Sequence, residues 1–491
     1  MFKKIRRLLF QAFLLVVVVL IGAFTFNTIQ FSSRQLPVQS VAAKTISDAA
    51  VKRLSEVIQI PTVSYETHID TAAFIDFKNY LKENFPLVDS LLEKKVINDY
   101  SLTYKWPGTN PKLDPILILG HIDVVPVEGE SLQRWTEPPY SGKIKDGFIW
   151  GRGALDDKVN ILGVLEAVNV LLEEDYQPER GLYLAFGHDE EVGGRQGAKA
   201  IAKQFENQGI QFEYVLDEGL VVLENALPGL SKPATLIGIA EKGYASMTLT
   251  ATIEHGGHSS MPPGETAIGL LSKTLQTLED NPFPASISGP TETLFDHVGP
   301  EMSLPYKVIF ANTWFFENIL INQLSKQASA NATVRTTMAP TILQAGIKDN
   351  VLPTTASVTI NFRIIPGETV ESIQQRLKEV IADDRIKIST SEAAFSSNPS
   401  KVSSVESFGF NAIQKTAQEL FPEGVIAPAL VIAATDSRHY EAVAKDIYRF
   451  MPLQTNLEDL NRIHGIDERI GVEDYKKLIQ FYYQLLKNSC Y

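Results

Sequence analysis

Four short polar motifs carry the residues that could do chemistry in this sequence. They are Gly120-His121-Ile122-Asp123, Gly151-Arg152-Gly153-Ala154-Leu155-Asp156-Asp157-Lys158, His188-Asp189-Glu190-Glu191 and Asp217-Glu218-Gly219. Imidazole and carboxylate groups without a thiolate form a nitrogen and oxygen ligand set that suits zinc, manganese or cobalt. Each motif alone is typical of a capped residue or a solvated turn, so the hypothesis of a metal site depends on their combination.

Three of these motifs directly follow short apolar runs, at Ile116–Leu119, Leu182–Phe186 and Tyr214–Leu216. Short apolar runs that alternate with helical segments predict an α/β sheet covered on both faces. Ligands of such sheets bind at the carboxyl ends of the strands. The sequence therefore predicts that the three motifs converge on one site.

The fourth motif opens a predicted helix. Apolar residues recur on one helical face after Asp156, at positions 161, 164, 165, 168 and 172. Asp156 and Asp157 would lie at the helix start, where carboxylates are favoured. The segment Gly151-Arg152-Gly153 lacks the third glycine of the dinucleotide-binding fingerprint, so dinucleotide binding by this motif is excluded.

The pattern changes near Ala240, which predicts an inserted domain. Ala245–Ile253 and Ala356–Arg363 alternate like strands, and Val370–Ala382 reads as a helix. We predict a smaller α+β domain at residues 242–393, between two parts of the catalytic domain at 46–241 and 394–491. The second part would contain a helix at Phe408–Leu420, a strand around Leu430–Ala434 and a closing helix at Val472–Leu486.

The N-terminal residues 1–26 predict a membrane anchor or a signal segment. Lys3, Lys4, Arg6 and Arg7 precede an uncharged run, Leu8–Phe26, that is about long enough to cross a bilayer. The basic flank would stay cytoplasmic, so the catalytic domain would be extracytoplasmic. The alternative is a secreted protein, cleaved near Ala42 and Ala43. Residues 27–45 read as a linker.

The composition excludes several other classes of protein. The net charge is −13, and no basic patch or zinc-finger spacing is present, which argues against nucleic-acid partners. Cys490 is the single cysteine, so an internal disulfide and a cysteine-built metal site are excluded. A His-Glu-x-x-His motif, typical of single-metal zincins, is also missing from the sequence.

From about residue 50 to the C-terminus, the motifs together resemble the co-catalytic zinc peptidase and aminoacylase family. Thr435-Asp436-Ser437-Arg438 and Arg462-Ile463-His464-Gly465 are similar to the branch of carboxypeptidase S and the secreted N-acyl-amino-acid synthase/hydrolase. The resemblance implies a mixed-sheet, two-metal peptidase catalytic domain with the inserted α+β domain as its lid.

The resemblance also implies a ligand set for two zinc ions, with cobalt or manganese as alternatives. His121, Asp156 and Asp217 would hold one ion; Asp156, Glu191 and His464 would hold the other. Glu218 stays open as a replacement for Asp217, because the two residues are adjacent. Asp123 would accept the second ring N–H of His121, and Glu190 would act as the base on water.

Four further residues match substrate-binding positions of the family. His258, in Gly256-Gly257-His258-Ser259-Ser260, would help bind the oxyanion. Asn350 and Arg363 would hold a free carboxylate of the substrate, and Arg438 would be another substrate contact, on the catalytic domain. The planar guanidinium fork of arginine suits this task. The alternatives are an exposed turn histidine and surface ion pairs.

The resemblance implies a hydrolase that cleaves an amide or peptide bond next to a free α-carboxylate, as a carboxypeptidase of short peptides. The alternative is an N-acyl-amino-acid hydrolase/synthase, with fatty-acyl substrates included. An inactive binding protein of the same fold is disfavoured because all the proposed ligands and Glu190 are present. Relatives dimerise through the lid, so a homodimer is one option. The apolar segment around 285–335 could cover the site, face a membrane or a partner, or form core.

Overall fold

The computed structural model describes residues 2–225, 227–390 and 396–491. Within them, the larger of two main β-sheets has eight strands and mixed direction. In order across the sheet, the strands are Glu93–Ile97, Ser101–Trp106, Leu182–Gly187, Ile116–His121, Phe212–Leu223, Ala444–Thr455, Ala234–Glu241 and Val425–Val431.

Helices cover this central sheet. The helix Lys158–Glu173 is almost fully buried and packs against the closing helix Val472–Ser489. The others that belong to this part of the chain are Asp48–Ile58, Thr71–Asn84, Pro86–Leu91, Ala198–Asn207 and Phe408–Leu420. Because both faces are covered, the inner strands are continuous apolar runs. The predicted α/β class with a mixed sheet is confirmed.

The second sheet lies in the inserted region. Its four strands, in order, are Thr337–Ala345, Thr355–Ile364, Gly243–Thr252 and Ile386–Thr390, all antiparallel. The helices Ala267–Asp280 and Val370–Ile381 pack on it around a separate hydrophobic core. The four strands lie within the region predicted to form the lid, residues 242–393. The domain boundaries stay predictions, and residue 393 lies outside the described residues.

One local prediction was wrong. The strand predicted around Leu430–Ala434 runs instead over Val425–Val431. Residues 425–434 form one apolar run, and periodicity does not locate a boundary inside such a run. Pro428 is tolerated because this strand is at the edge of the sheet. The helix that follows Asp156 begins at Lys158 with Asp157 as its N-cap, so the two aspartates lie at the helix start as predicted.

The segment around 285–335 is helical. Its helices are Pro290–Val298, Leu304–Ala311, Thr313–Leu324 and Ala328–Val334. Phe295, Val298 and Met302 bury their side chains against Val425 and Ala427 of the central sheet's edge strand. The segment therefore packs on the catalytic domain as well as being inserted with the lid.

The N-terminus forms one helix, Phe2–Gln30, that is long and apolar enough to cross a membrane. Residues 31–47 follow it without regular structure but lie against the catalytic domain. The Gln35 side chain hydrogen bonds to both backbone groups of Ile426, and the Val41 N–H donates to the Glu419 carbonyl. Residues 27–30 of the predicted linker therefore belong to the helix, and the rest of it contacts the catalytic domain at Gln35 and Val41.

The buried ammonium group of Lys158 should make stability depend on pH. It donates to the carbonyl oxygens of Val57 and Ile60, and burial lowers its pKa to about 7, although Glu468 opposes the shift. Between pH 7 and the unfolded value of 10.5, the unfolded chain binds more protons than the folded protein. The free energy of unfolding should therefore rise with pH, by at most about 1.4 kcal/mol per unit.

Lys158→Met should remove this contribution to the pH dependence of the free energy of unfolding, measured by urea denaturation of the metal-free protein at several pH values. Lys52→Met, which changes an exposed lysine, should leave it unchanged. Equal slopes in the Lys158 and Lys52 variants would show that the Lys158 pKa is ordinary.

Candidate active site

Three neighbouring strands bring the polar motifs to one edge of the central sheet. Ile116–His121 lies between Leu182–Gly187 and Phe212–Leu223 and runs parallel to both. His121 ends its strand opposite Gly187, and Glu190 and Glu191 form a short 3₁₀ turn just beyond. The three motifs therefore converge as expected, but the third strand does not end at Asp217 as predicted; it continues to Leu223.

One group of ligand-type atoms forms around His121. Its Nε2 lies 2.7 Å from Asp156 Oδ1 and 3.4 Å from Glu218 Oε1. One ligand atom from each of the three residues lies within 4.8 Å of the others. The imidazole is buried; desolvation opposes its protonation, but Glu218, Asp123 and Asp156 outweigh this and raise the pKa of His121. A divalent cation would replace that proton as the balancing positive charge.

Asp217 is not part of this group. Its Oδ2 accepts the backbone N–H of Ser437 at 2.9 Å, and its Oδ1 accepts that of Glu218 at 3.0 Å. Glu218, by contrast, places its Oε1 3.4 Å from His121 Nε2. The geometry favours Glu218, the alternative left open by the sequence, over Asp217.

A second group shares Asp156. His464 Nε2 lies 3.1 Å from Asp156 Oδ2 and 3.2 Å from Glu191 Oε2. Each oxygen of the Asp156 carboxylate therefore faces a different histidine, as in a carboxylate that bridges two cations. The predicted ligands His121, Asp156, Glu191 and His464 are all brought together in these two groups. Both groups are made of nitrogen and oxygen donors and fit divalent metal ions.

Asp123 contacts residues of both ligand groups, but, contrary to the prediction, its carboxylate is not the nearest acceptor for the His121 ring N–H. The contact of 3.0 Å from His121 Nδ1 is to the carbonyl oxygen of Asp123, whereas the carboxylate is at 3.4 Å. The carboxylate instead accepts the backbone N–H groups of Glu190 and Glu191, both at 3.1 Å, and the hydroxyl of Ser64. Asp123 thus fixes the turn that carries the predicted base.

Glu190 lies in a strongly negative environment. Desolvation raises the pKa of its carboxyl group well above the ordinary value; His121 opposes the shift, and Asp436, Glu218 and Glu191 add to it. A carboxylate with a raised pKa is a better proton acceptor near neutral pH. The position and environment of Glu190 therefore suit a general base.

Sequence reasoning missed Glu468, which organises the loop that carries Asp156. Its Oε1 accepts the backbone N–H groups of Gly153 and Leu155, both at 2.9 Å, and its Oε2 pairs with Arg152. Arg152 also donates to the His464 carbonyl at 3.0 Å. This buried pair ties together the loops of Asp156 and His464, which are about three hundred residues apart. Only the proximity of Glu468 to His464 in sequence hinted at it.

Glu468→Gln should lower the free energy of unfolding by about 3–5 kcal/mol, because it leaves the Arg152 guanidinium buried without its counter-charge. Urea denaturation of the metal-free protein measures the loss. Glu458→Gln, at an exposed glutamate, is the matched control. A change below about 0.5 kcal/mol for Glu468→Gln, the size of an ordinary surface substitution, would contradict this account.

The predicted substrate residues fall into two places. His258 and Asn350 lie together on the lid, where Gly257–His258 pairs with Val351–Leu352. The Asn350 carbonyl accepts the Ser259 N–H, and His258 Nδ1 contacts the Ser260 hydroxyl at 2.8 Å. Both side chains are exposed, and these contacts stay within the lid.

Arg363 and Arg438 lie on opposite sides of the junction between lid and catalytic domain. The Arg363 guanidinium stacks over Tyr244 at 4.8 Å. Burial lowers the pKa of Arg363, Tyr244 opposes this, and the nearby charge of Arg438 lowers it further. Arg438 lines a cavity of about 270 Å³ together with Lys242 and His439. Glu241 and Glu441 also line this cavity, so it is the Arg438 guanidinium, and not the net charge of the cavity, that suits a carboxylate ligand.

Comparison with known proteins agrees with this architecture. Residues 117–488 match the model of peptidase family M20/M25/M40. The chain is 44% identical to the probable carboxypeptidase S-like 2 of Dictyostelium discoideum, covering 94% of this chain and 91% of that protein. It is 40% identical to the N-fatty-acyl-amino acid synthase/hydrolase PM20D1 of Xenopus tropicalis, and the match covers 99% of this chain and 96% of that protein. The crystal structure of the M20 family metallo-carboxypeptidase Sso-CP2 from Sulfolobus solfataricus superposes with a TM-score of 0.64 at 19% identity, over 90% and 99% of the two chains.

The extent of these matches defines the class of protein. The chain belongs to peptidase family M20/M25/M40. It is a hydrolase of the carboxypeptidase S-like and N-acyl-amino-acid synthase/hydrolase branch, as the sequence motifs predicted.

Proposed function

We propose that this enzyme hydrolyses an amide bond next to a free α-carboxylate, using two zinc ions and Glu190 as the base. The observation that carries the proposal is the pair of ligand groups that share Asp156 beside Glu190. The ions would be held by His121, Asp156 and Glu218, and by Asp156, Glu191 and His464. Cobalt or manganese would fit the same donor atoms.

Bound ions would polarise the amide carbonyl and lower the pKa of water. The residues of the chain supply the proton transfers and the orientation. Glu190 accepts a proton from the attacking water and delivers it to the departing nitrogen, as general acid–base catalysis requires. The Asp123 carboxylate accepts the Glu190 backbone N–H, and this hydrogen bond holds the turn that carries the base in position.

The free carboxylate of the substrate would bind at the junction lined by Arg438 and Arg363. A guanidinium can hold a carboxylate with two parallel hydrogen bonds, which also fixes its orientation. Asn350 and His258 would reach the substrate from the lid hairpin. Since both are exposed and lie on the smaller domain, closure of the lid would be needed to bring them to the bond that is cleaved.

Short peptides are the first substrate class, as the carboxypeptidase S-like relative suggests. N-acyl amino acids are the second, favoured by the match to the N-fatty-acyl-amino acid synthase/hydrolase over nearly the whole chain. The N-terminal apolar helix also favours the second class, because an acylated amino acid partitions into membranes. That reaction could run towards condensation as well as hydrolysis, since a catalyst lowers the barrier in both directions.

A substrate panel tests both classes. The full-length enzyme would be assayed with dipeptides, acetyl-amino acids and long-chain acyl-amino acids, each paired with an amidated analogue that lacks the free carboxylate, with and without added zinc. We expect hydrolysis that depends on zinc and on the free carboxylate. Equal rates on the amidated analogues would exclude carboxylate recognition, and activity only on long-chain substrates would select the second class.

For localisation, we propose a single membrane span at the N-terminus with the catalytic domain outside the cytoplasm; secretion after cleavage is the alternative. A homodimer through the lid also remains a proposal. The edge strand Thr337–Ala345 supports it, because this strand is exposed and pairs on one side with Thr355–Ile364.

A further inference from the structure

Two consecutive helices, Leu304–Ala311 and Thr313–Leu324, present an exposed apolar surface. Between residues 304 and 324 the sequence has two charged residues, Lys307 and Glu317. Glu317 points towards the protein, where its carboxylate lies 3.4 Å from the Ile287 N–H. The exposed large apolar side chains of this surface are Leu304, Tyr306, Trp314, Phe315 and Ile319. We call these five residues the apolar helix surface.

This surface is continuous with the N-terminal helix. The Phe24 ring lies 6.1 Å from the ring of Trp314 and 5.2 Å from that of Phe315. The Asn27 side chain donates to the Asn312 side chain at 2.9 Å. The helix Leu304–Ala311 also packs against the N-terminal helix. The two helices thus sit beside the outer end of the apolar run Leu8–Phe26.

This contact lies within the part of the N-terminal helix that would be inside a bilayer. Phe24 lies two positions inside the end of the apolar run, at the level where tryptophan and tyrosine concentrate in membrane proteins. Partly covered residues of the N-terminal helix recur on one face, at positions 17, 20, 23, 24, 27 and 28. Val17 is about 10 Å deeper than Phe24, at 1.5 Å of rise per residue. A bilayer crossed by this helix would therefore meet the neighbouring helices.

We propose that the apolar helix surface contacts the lipid bilayer and fixes the catalytic domain against the membrane. Exposed large apolar side chains grouped on two consecutive helices mark an interaction site. The occupant is a bilayer because the patch continues the surface of the one helix in the described chain long and apolar enough to span it. Docking of residues 31–47 along the catalytic domain makes the connection short and leaves the domain little freedom to turn away.

The proposal rests on the proposed membrane span, so the test separates the two. The full-length protein would carry Cys490→Ala, which removes its only cysteine, a buried one. Single cysteines would be introduced by Ile319→Cys, Leu15→Cys and Leu91→Cys and labelled with an environment-sensitive fluorophore. Leu91 is the matched control, because it is 58% exposed on the catalytic domain, compared with 63% for Ile319.

Each labelled protein would be reconstituted in phosphatidylcholine vesicles with ordinary or brominated acyl chains. We expect a blue-shifted emission and quenching by bromine at positions 15 and 319, and neither effect at position 91. Quenching at position 15 but not at 319 would overturn the proposed docking while leaving the span intact. Absence of quenching at position 15 would overturn the span and the docking together. Energy transfer between copies labelled at 319, without quenching, would assign the surface to a second copy and also overturn the proposal.

Discussion

Glu190→Gln should lower the turnover number by about 10²–10⁴-fold while both metal ions stay bound. Glutamine keeps the size of the side chain and the backbone hydrogen bond to Asp123 but cannot accept the proton of the attacking water. Glu190 belongs to neither ligand group, so its replacement should leave metal affinity nearly unchanged. The measurements are steady-state kinetics on the best substrate of the panel and metal content by elemental analysis.

Glu128→Gln is the control, because Glu128 is an exposed glutamate outside the site. A loss that appears in the turnover number and in kcat/KM equally would place the role of Glu190 in the transition state. A Glu190→Gln enzyme with near-normal turnover would remove Glu190 from the proposed mechanism. Lost metal in this variant would show instead that the residue is a ligand.

The convergence of the motifs could be predicted because it depends on local patterns. Apolar runs located the two strands that end near His121 and Glu190 and the neighbouring strand that contains Asp217, and all three are parallel. The helix Phe408–Leu420 was predicted to the residue, since its amphipathic pattern has a clear start at Ser407 and a clear end. Patterns of this kind depend only on residues that are close together in sequence.

Features that depend on distant partners could not be predicted. The Glu468–Arg152 pair joins two loops far apart in sequence, and no local pattern marks a buried acceptor of two backbone N–H groups. The contact of Asp123 with the Glu190–Glu191 turn is of the same kind. Family resemblance placed Asp123 beside His121 but did not show which of its oxygens faces the ring.

The choice between Asp217 and Glu218 should be visible in metal binding. Glu218→Ala should weaken binding of one of two zinc ions by more than the about 10–100-fold that loss of an outer-shell partner causes, because it removes a ligand. Asp217→Asn should have at most that smaller effect, since its carboxylate accepts backbone N–H groups and asparagine keeps one acceptor oxygen. Chelator competition, which titrates the two ions separately, measures both.

The two substitutions form a matched pair, because each removes one charge from adjacent positions of one strand. The ion bound by Asp156, Glu191 and His464 should persist in Glu218→Ala, since that group does not include Glu218. A reversed result, with zinc lost in Asp217→Asn and both ions kept in Glu218→Ala, would show that the strand presents its other face to His121. The pattern of zinc loss in the two variants therefore decides which of the two adjacent carboxylates completes the group around His121.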